Sequence, residues 1–129
     1  THNLKNIDLD IPRHALIANN LAWAYWRMKD ARAKQLAEEA YKLDPKNPVV
    51  ADTLGWILAQ SGEVKRGRTL IEQAIGKAPE IPAMRYHYAA VLAESGEKAK
   101  AREELKRALA SNQQFAELPN AKALLERLN

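Results

Sequence analysis

The sequence predicts an all-α chain built as a solenoid of helix pairs, about three helix-turn-helix units followed by a C-terminal capping helix. Three observations predict it. The composition is rich in Ala, Leu, Glu, Lys and Arg, all good helix formers, with only 5 Gly and 6 Pro in 129 residues. Pro45 and Pro79 stand 34 residues apart, and Ala40, Ala74 and Ala108 repeat at the same interval. Outside the short stretch around Val49 and Val50, no β-branched run or sustained alternation argues for strands.

The elements follow in order. Residues 1–12 read as an N-terminal tail or the remnant of a preceding unit. Pro12 lies 33 residues before Pro45, but Asn3, Asn6, Asp8 and Asp10 disfavour a helix, so this segment is expected to be frayed or extended. The first unit occupies 13–45, the second 46–79 and the third 80–113. Their first helices carry Leu21-Ala22, Leu54-Gly55 and Tyr88-Ala89 in register, with Tyr25, Leu58 and Leu92 one turn on. Their second helices repeat Ala33, Gly67 and Ala101, then Ala37, Ile71 and Leu105, small residues falling where helices approach closely. Met28-Lys29-Asp30, Ser61-Gly62-Glu63 and Ser95-Gly96-Glu97 interrupt the helical period within units. Asp44-Pro45-Lys46-Asn47-Pro48 and Ala78-Pro79-Glu80-Ile81-Pro82 separate the units, with Pro48 and Pro82 suited to a first helical turn and Asn47 to a cap. The first unit is one residue short between Asp30 and Ala33, in the turn. Residues 114–129 form the cap, where Leu118, Ala121, Leu124, Leu125 and Leu128 share one face.

These residues resemble the tetratricopeptide-repeat pattern W-x2-L-G-x2-Y, then A-x3-F, then A and P. The middle unit carries it through Leu54, Gly55, Leu58, Gly67, Ile71, Ala74 and Pro79. The leading Trp position holds Ala18, Ala51 and Arg85 instead, the Phe position Ala37, Ile71 and Leu105, and Gln113 replaces the last Pro. The resemblance implies a right-handed α-α superhelix and a non-catalytic scaffold that binds a partner peptide or helix in its concave groove. In that family the first helices line the groove. The implied partner-binding residues are Asn19, Asn20, Trp23, Trp26 and Arg27, then Asp52, Thr53, Trp56 and Gln60, then Tyr86, His87, Ala90 and Glu94. Aromatic residues and Arg are common interface anchors, while Trp23 and Trp56 equally suit packing against the neighbouring helix. Trp26 is expected to be the more exposed. The family's carboxylate clamp is not reproduced, because Asn19 and Trp23 stand where it needs Lys and Asn.

At a finer level, the runs Asn19-Asn20-Leu21-Ala22-Trp23 and Asp52-Thr53-Leu54-Gly55-Trp56-Ile57-Leu58, and the ending from Arg85-Tyr86-His87-Tyr88 to Phe115, are similar to the C-terminal region of bacterial tetratricopeptide lipoproteins encoded with exopolysaccharide and exosortase (PEP-CTERM) systems. That similarity implies a periplasmic, membrane-anchored parent. The chain begins at Thr1 without initiator Met or signal peptide and is expected to be a piece of a longer protein. A cytoplasmic setting also fits the residues.

Other classes find less support. Without Cys there is no disulfide, thiolate nucleophile or Cys-based metal site. His2, His14 and His87 are isolated in sequence, and the five Gly form no phosphate-cradling cluster, so no catalytic constellation, metal site or cofactor is expected. Glu38-Glu39 and Glu103-Glu104 lie among basic residues and read as solvated pairs. The net charge of +4, with Lys65-Arg66-Gly67-Arg68 and the stretch Lys98 to Arg107 on second helices, raises nucleic-acid binding through the convex face as a second class. Interleaved Glu residues disfavour it. A terminal structural cap of a longer array, with no ligand of its own, is a further reading.

Overall fold

In the computed structural model, which describes the backbone of residues 2–129 and the side chains of residues 11–129, seven helices follow one another. They are α1 (His2–Arg27), α2 (Arg32–Leu43), α3 (Pro48–Gln60), α4 (Val64–Lys77), α5 (Pro82–Glu94), α6 (Lys98–Ala110) and α7 (Leu118–Leu128). No strand occurs among the described residues. Each first helix packs on its own second helix, and each second helix meets the next first helix. The first helices also touch one another, α1 with α3, α3 with α5 and α5 with α7, whereas the backbones of α2, α4 and α6 stand further apart, with α2 and α4 bridged by the long side chains of Glu38 and Arg66. Elements on the inside of a curve lie closest together, so α1, α3 and α5 form the concave row.

The punctuation read from the sequence terminates these helices. Asn47 caps α3, its Oδ1 accepting the Val49 N–H at 2.9 Å, and Pro48 and Pro82 open α3 and α5, where no intrahelical N–H is lost. At the three mid-unit turns the N–H groups of Asp30, Glu63 and Glu97 donate to the carbonyls of Tyr25, Leu58 and Leu92, each at 2.9 Å. This is a Schellman closure. It sets the residue before each donor at positive φ: 58° at Lys29, 97° at Gly62 and 83° at Gly96. The first turn thus holds Lys in a backbone region where the other two use Gly.

Within the second unit α3 and α4 cross at Gly55 and Gly67. A Cβ on Gly55 would stand 2.7 Å from the Gly67 carbonyl oxygen and 2.8 Å from Ile71 Cγ1, and a Cβ on Gly67 would meet the Gly55 carbonyl oxygen and the Ala59 nitrogen. Around this crossing Leu54, Ile57, Leu58 and Ile71 are fully buried, and Ala89, Leu92, Ala101 and Leu105 extend the core through the third unit. In α7, Ala121 and Leu124 are buried while Leu118, Leu125 and Leu128 are half-buried, which is the apolar face the sequence placed there. Burying one large aliphatic side chain is worth about 1.5–3 kcal/mol, against about 0–1 for an exposed ion pair. Packing therefore holds the units together, and the convex ion pairs Lys34–Glu63 and Arg66–Glu38 add little.

Two expectations are corrected. Residues 2–12 are neither frayed nor extended: α1 runs without interruption from His2 through Pro12, which forgoes only its own N–H bond to the turn before. Thr1 and the side chains of Asn3, Asn6, Asp8 and Asp10 lie outside the described residues. Glu104 is not solvated. It is 7% exposed and accepts a 2.7 Å bond from Arg85 Nη1, because α5 delivers a half-buried guanidinium to that point of α6.

Candidate functional site

The 33- and 34-residue offsets place three equivalent rows along the concave face. Asn19, Asp52 and Tyr86 form one row, Asn20, Thr53 and His87 the next, and Trp23, Trp56 and Ala90 the third. Because α1, α3 and α5 lie side by side, side chains on adjacent helices in neighbouring rows come together.

At the centre is His87. Its Nδ1–H donates toward both carboxylate oxygens of Asp52 at 2.9 Å, and its Nε2–H donates to Glu117 Oε2 at 2.6 Å. Carboxylates at both ring nitrogens require both to carry protons, which makes the ring an imidazolium. Burial alone would push the imidazole down, but the Asp52 and Glu117 carboxylates outweigh it and lift the group from 6.5 to about 10. The cation lies among aromatic rings. Trp23 stacks on it with centroids 5.4 Å apart, Trp56 lies at 4.8 Å and Tyr86 at 5.7 Å. Trp26 sets its edge against both tryptophans, 5.6 Å from each. The Trp23 indole N–H donates to Thr53 Oγ1 at 2.8 Å, and the Thr53 hydroxyl donates to the Val49 carbonyl at 3.0 Å. Two buried polar atoms, Trp56 Nε1 and Asn19 Oδ1, have no partner.

The residues expected to line a groove thus divide. Asn19, Asp52, Thr53, Trp56 and His87 are buried rather than open, Asp52 and His87 being bonded to each other. Trp23, Trp26, Tyr86 and Ala90 are half-buried, while Asn20, Arg27, Gln60 and Glu94 are exposed. Between packing and groove, Trp56 packs, at 6% exposed, yet it also borders a cleft. That cleft, of about 460 Å³, runs between Trp26, Trp56 and Tyr86 on one side and Leu124 and Arg127 of α7 on the other. A second, of about 390 Å³, is lined by Trp23, Trp26, Arg27, Ala116 and Glu117.

Sequence reasoning missed Glu117. The links between units, residues 44–47 and 78–81, are four residues long, whereas the α6–α7 link spans 111–117. The longer link turns inward and carries Ala116 and Glu117 across to the Trp23 end of the groove. The departure of Gln113 from the repeat's Pro was a signal that this link differs, but nothing in the sequence pairs Glu117 with His87.

A larger depression, of about 710 Å³, lies on the second helices and is lined by Lys34, Gln35, Glu38, Tyr41 and Arg66 among others. It is spanned by the Arg66–Glu38 pair, which forms two bonds of 2.8 and 2.9 Å. Arg68 is likewise held by Glu97 and Glu72. Of the convex cations named in the sequence, Arg66, Arg68 and Arg107 are thus paired with carboxylates. Among the described residues no cluster of three or more His, Asp or Glu side chains is arranged to hold a metal ion.

A tetratricopeptide-repeat family profile matches residues 58–128. No curated protein matches the sequence. Among solved structures, the first TPR domain of human RPAP3 superposes with a TM-score of 0.77 over 91% of both chains at 15% identity. The TPR2B domain of yeast Sti1, in its pHsp70 complex, gives 0.76 over 90% of this chain and 96% of that one at 18% identity. The Yersinia enterocolitica type III secretion chaperone SycD, in complex with a peptide of the translocator YopD, gives 0.69 over 86% and 88% at 19% identity. At such identities the likeness is one of fold.

Proposed function

We infer from its place in the tetratricopeptide-repeat family, to which this chain belongs, that it is a non-catalytic scaffold binding a peptide or helix of a partner protein on its concave face. The observation that carries the reading is the set of half-buried rings, Trp23, Trp26 and Tyr86, lined up along the first helices and bordered by two open clefts. Rigid aromatic surface with polar neighbours suits a peptide partner. Structural neighbours captured with pHsp70 and with a YopD peptide support that use of the fold. The sequence resemblance supports a finer setting, a bacterial exopolysaccharide or protein export assembly with a periplasmic, membrane-anchored parent. Among the described residues no helix is long and apolar enough to cross a membrane.

One observation favours a second reading, a structural cap without a ligand of its own: Glu117 already occupies His87 from within the chain. Nucleic-acid binding is disfavoured, since Arg66 and Arg68 are held by carboxylates.

Peptides selected from a displayed random library test the groove reading, and failure to select any peptide would favour the cap. Trp26→Ala is expected to weaken the selected peptide by about 1–3 kcal/mol, about 5- to 150-fold, while leaving the half-buried site folded. Lys65→Ala and Lys100→Ala on the second helices are expected to leave affinity unchanged. Calorimetric titration of the three variants checks it. Equal affinity for Trp26→Ala and wild type, with loss in the Lys variants, moves binding to the convex face.

A further inference from the structure

Glu117 differs from the other groups around His87 in three ways. Its side chain keeps 27% of its surface exposed, whereas His87 and Asp52 are buried at 2% and 8%. It stands at the N-cap of α7, where its main-chain carbonyl accepts the Ala121 N–H but its carboxylate accepts no bond from that helix, so the carboxylate serves His87 rather than capping α7. It arrives on a link three residues longer than the links between the repeat units, and borders an open cleft.

We propose that Glu117 is a stand-in for a partner's carboxylate, and that the concave face takes a segment whose Asp or Glu side chain displaces Glu117 from His87 Nε2. This rests on the groove reading above and names the chemistry of its partner.

The chemistry favours an acid over any other ligand. Once Glu117 leaves, the Nε2–H of a buried cation has no acceptor, and an unsatisfied buried charge is costly. An apolar side chain cannot answer that donor, and an amide answers it without balancing the charge. Exchange at Nε2 leaves the Asp52 bond intact, so the ring stays oriented for the incoming group. Arg27 lines the same cleft and has no carboxylate partner among the described residues, which leaves it available to a second anionic group. The Trp56 indole N–H, buried beside the same ring, is an unclaimed donor. The stand-in is a side chain with main chain continuing on both sides, which favours an acidic residue within a segment over a chain terminus.

The test uses the chain with Glu117→Ala and Glu117→Gln, and three acetylated probe peptides: Ala-Leu-Glu-Leu-Ala amide, its Gln counterpart, and that Gln peptide with a free C-terminal carboxylate. Tryptophan emission and the His87 ring ¹⁵N signals report binding. The expected result is that the Glu peptide binds Glu117→Ala at least about ten-fold more tightly than it binds wild type, and about ten-fold more tightly than the amidated Gln peptide binds Glu117→Ala. His87→Gln is expected to erase that preference. Equal binding of the Glu and Gln peptides, equal binding to wild type and Glu117→Ala, binding only by the free-terminus peptide, or no binding overturns the proposal. If Glu117→Ala unfolds, Glu117→Gln carries the same comparison, and unfolding of both assigns Glu117 to the fold and overturns it. Library peptides that lose affinity with Trp26→Ala but lack any acidic preference would leave the groove reading standing while this one fails.

Discussion

Asp52→Ala is expected to lose about 3–5 kcal/mol of folding free energy in urea titrations at neutral pH, because it leaves a buried charge without its main partner. His87 sits inside a ring of Trp23, Trp56 and Tyr86, with Asp52 reaching from α3 and Glu117 from the α6–α7 link. Removing Asp52 forces the imidazole either to remain a poorly matched cation or to give up its proton and its bond to Glu117. The pair also writes a pH signature. Folding raises the imidazole from 6.5 to about 10, so its contribution is complete below pH 6.5 and is lost as pH rises through about 10. The unfolding midpoint is therefore expected to fall across that alkaline window. The Tyr86 phenol, raised by burial and by Glu117, responds at alkaline pH as well, so comparison with His87→Gln isolates the imidazole. A flat profile that His87→Gln does not alter would mean the ring is neutral.

Gly67→Ala and Gly76→Ala, both in α4, are expected to move stability in opposite directions. A Cβ at Gly67 would press on the Gly55 carbonyl and the Ala59 nitrogen, backbone atoms that cannot rotate away, whereas a Cβ at Gly76 meets nothing within 4 Å. Overpacking costs about 1–3 kcal/mol, and relieving a helical glycine gains up to about 1 kcal/mol. Thermal melts of the two variants check the signs. Stabilisation by Gly67→Ala would show that α3 and α4 do not approach as closely as the crossing requires.

The repeat was legible because its causes are local. Pro48 and Pro82 can open a helix only at its first turn, Asn47 can cap only the helix that follows it, and Gly62 and Gly96 end helices by adopting a positive φ. Small residues at Gly55, Gly67 and Ala74 mark close helix contacts for the same reason in every unit. The site was legible only as a row of candidates. Which of them turn outward depends on partners from other elements: Asp52 and His87 are buried because they meet, and Glu104 because Arg85 reaches it. Glu117 had no periodic equivalent to identify it, since it lies on an irregular link whose path is set by tertiary packing. The start of α1 was misread for the opposite reason, because Pro12 and the nearby Asn and Asp residues weaken a helix locally without forbidding it.

The most direct measurement of the concave-face account is the ¹H–¹⁵N spectrum of the three indole N–H groups during titration with a library-selected peptide. Trp23 borders one cleft, Trp56 the other, and Trp26 both. The account predicts that the Trp26 signal moves most, that Trp23 or Trp56 moves with it, and that backbone amides of α2, α4 and α6 stay in place. Saturable shifts confined to α2, α4 and α6, with all three indole signals unmoved, would contradict it.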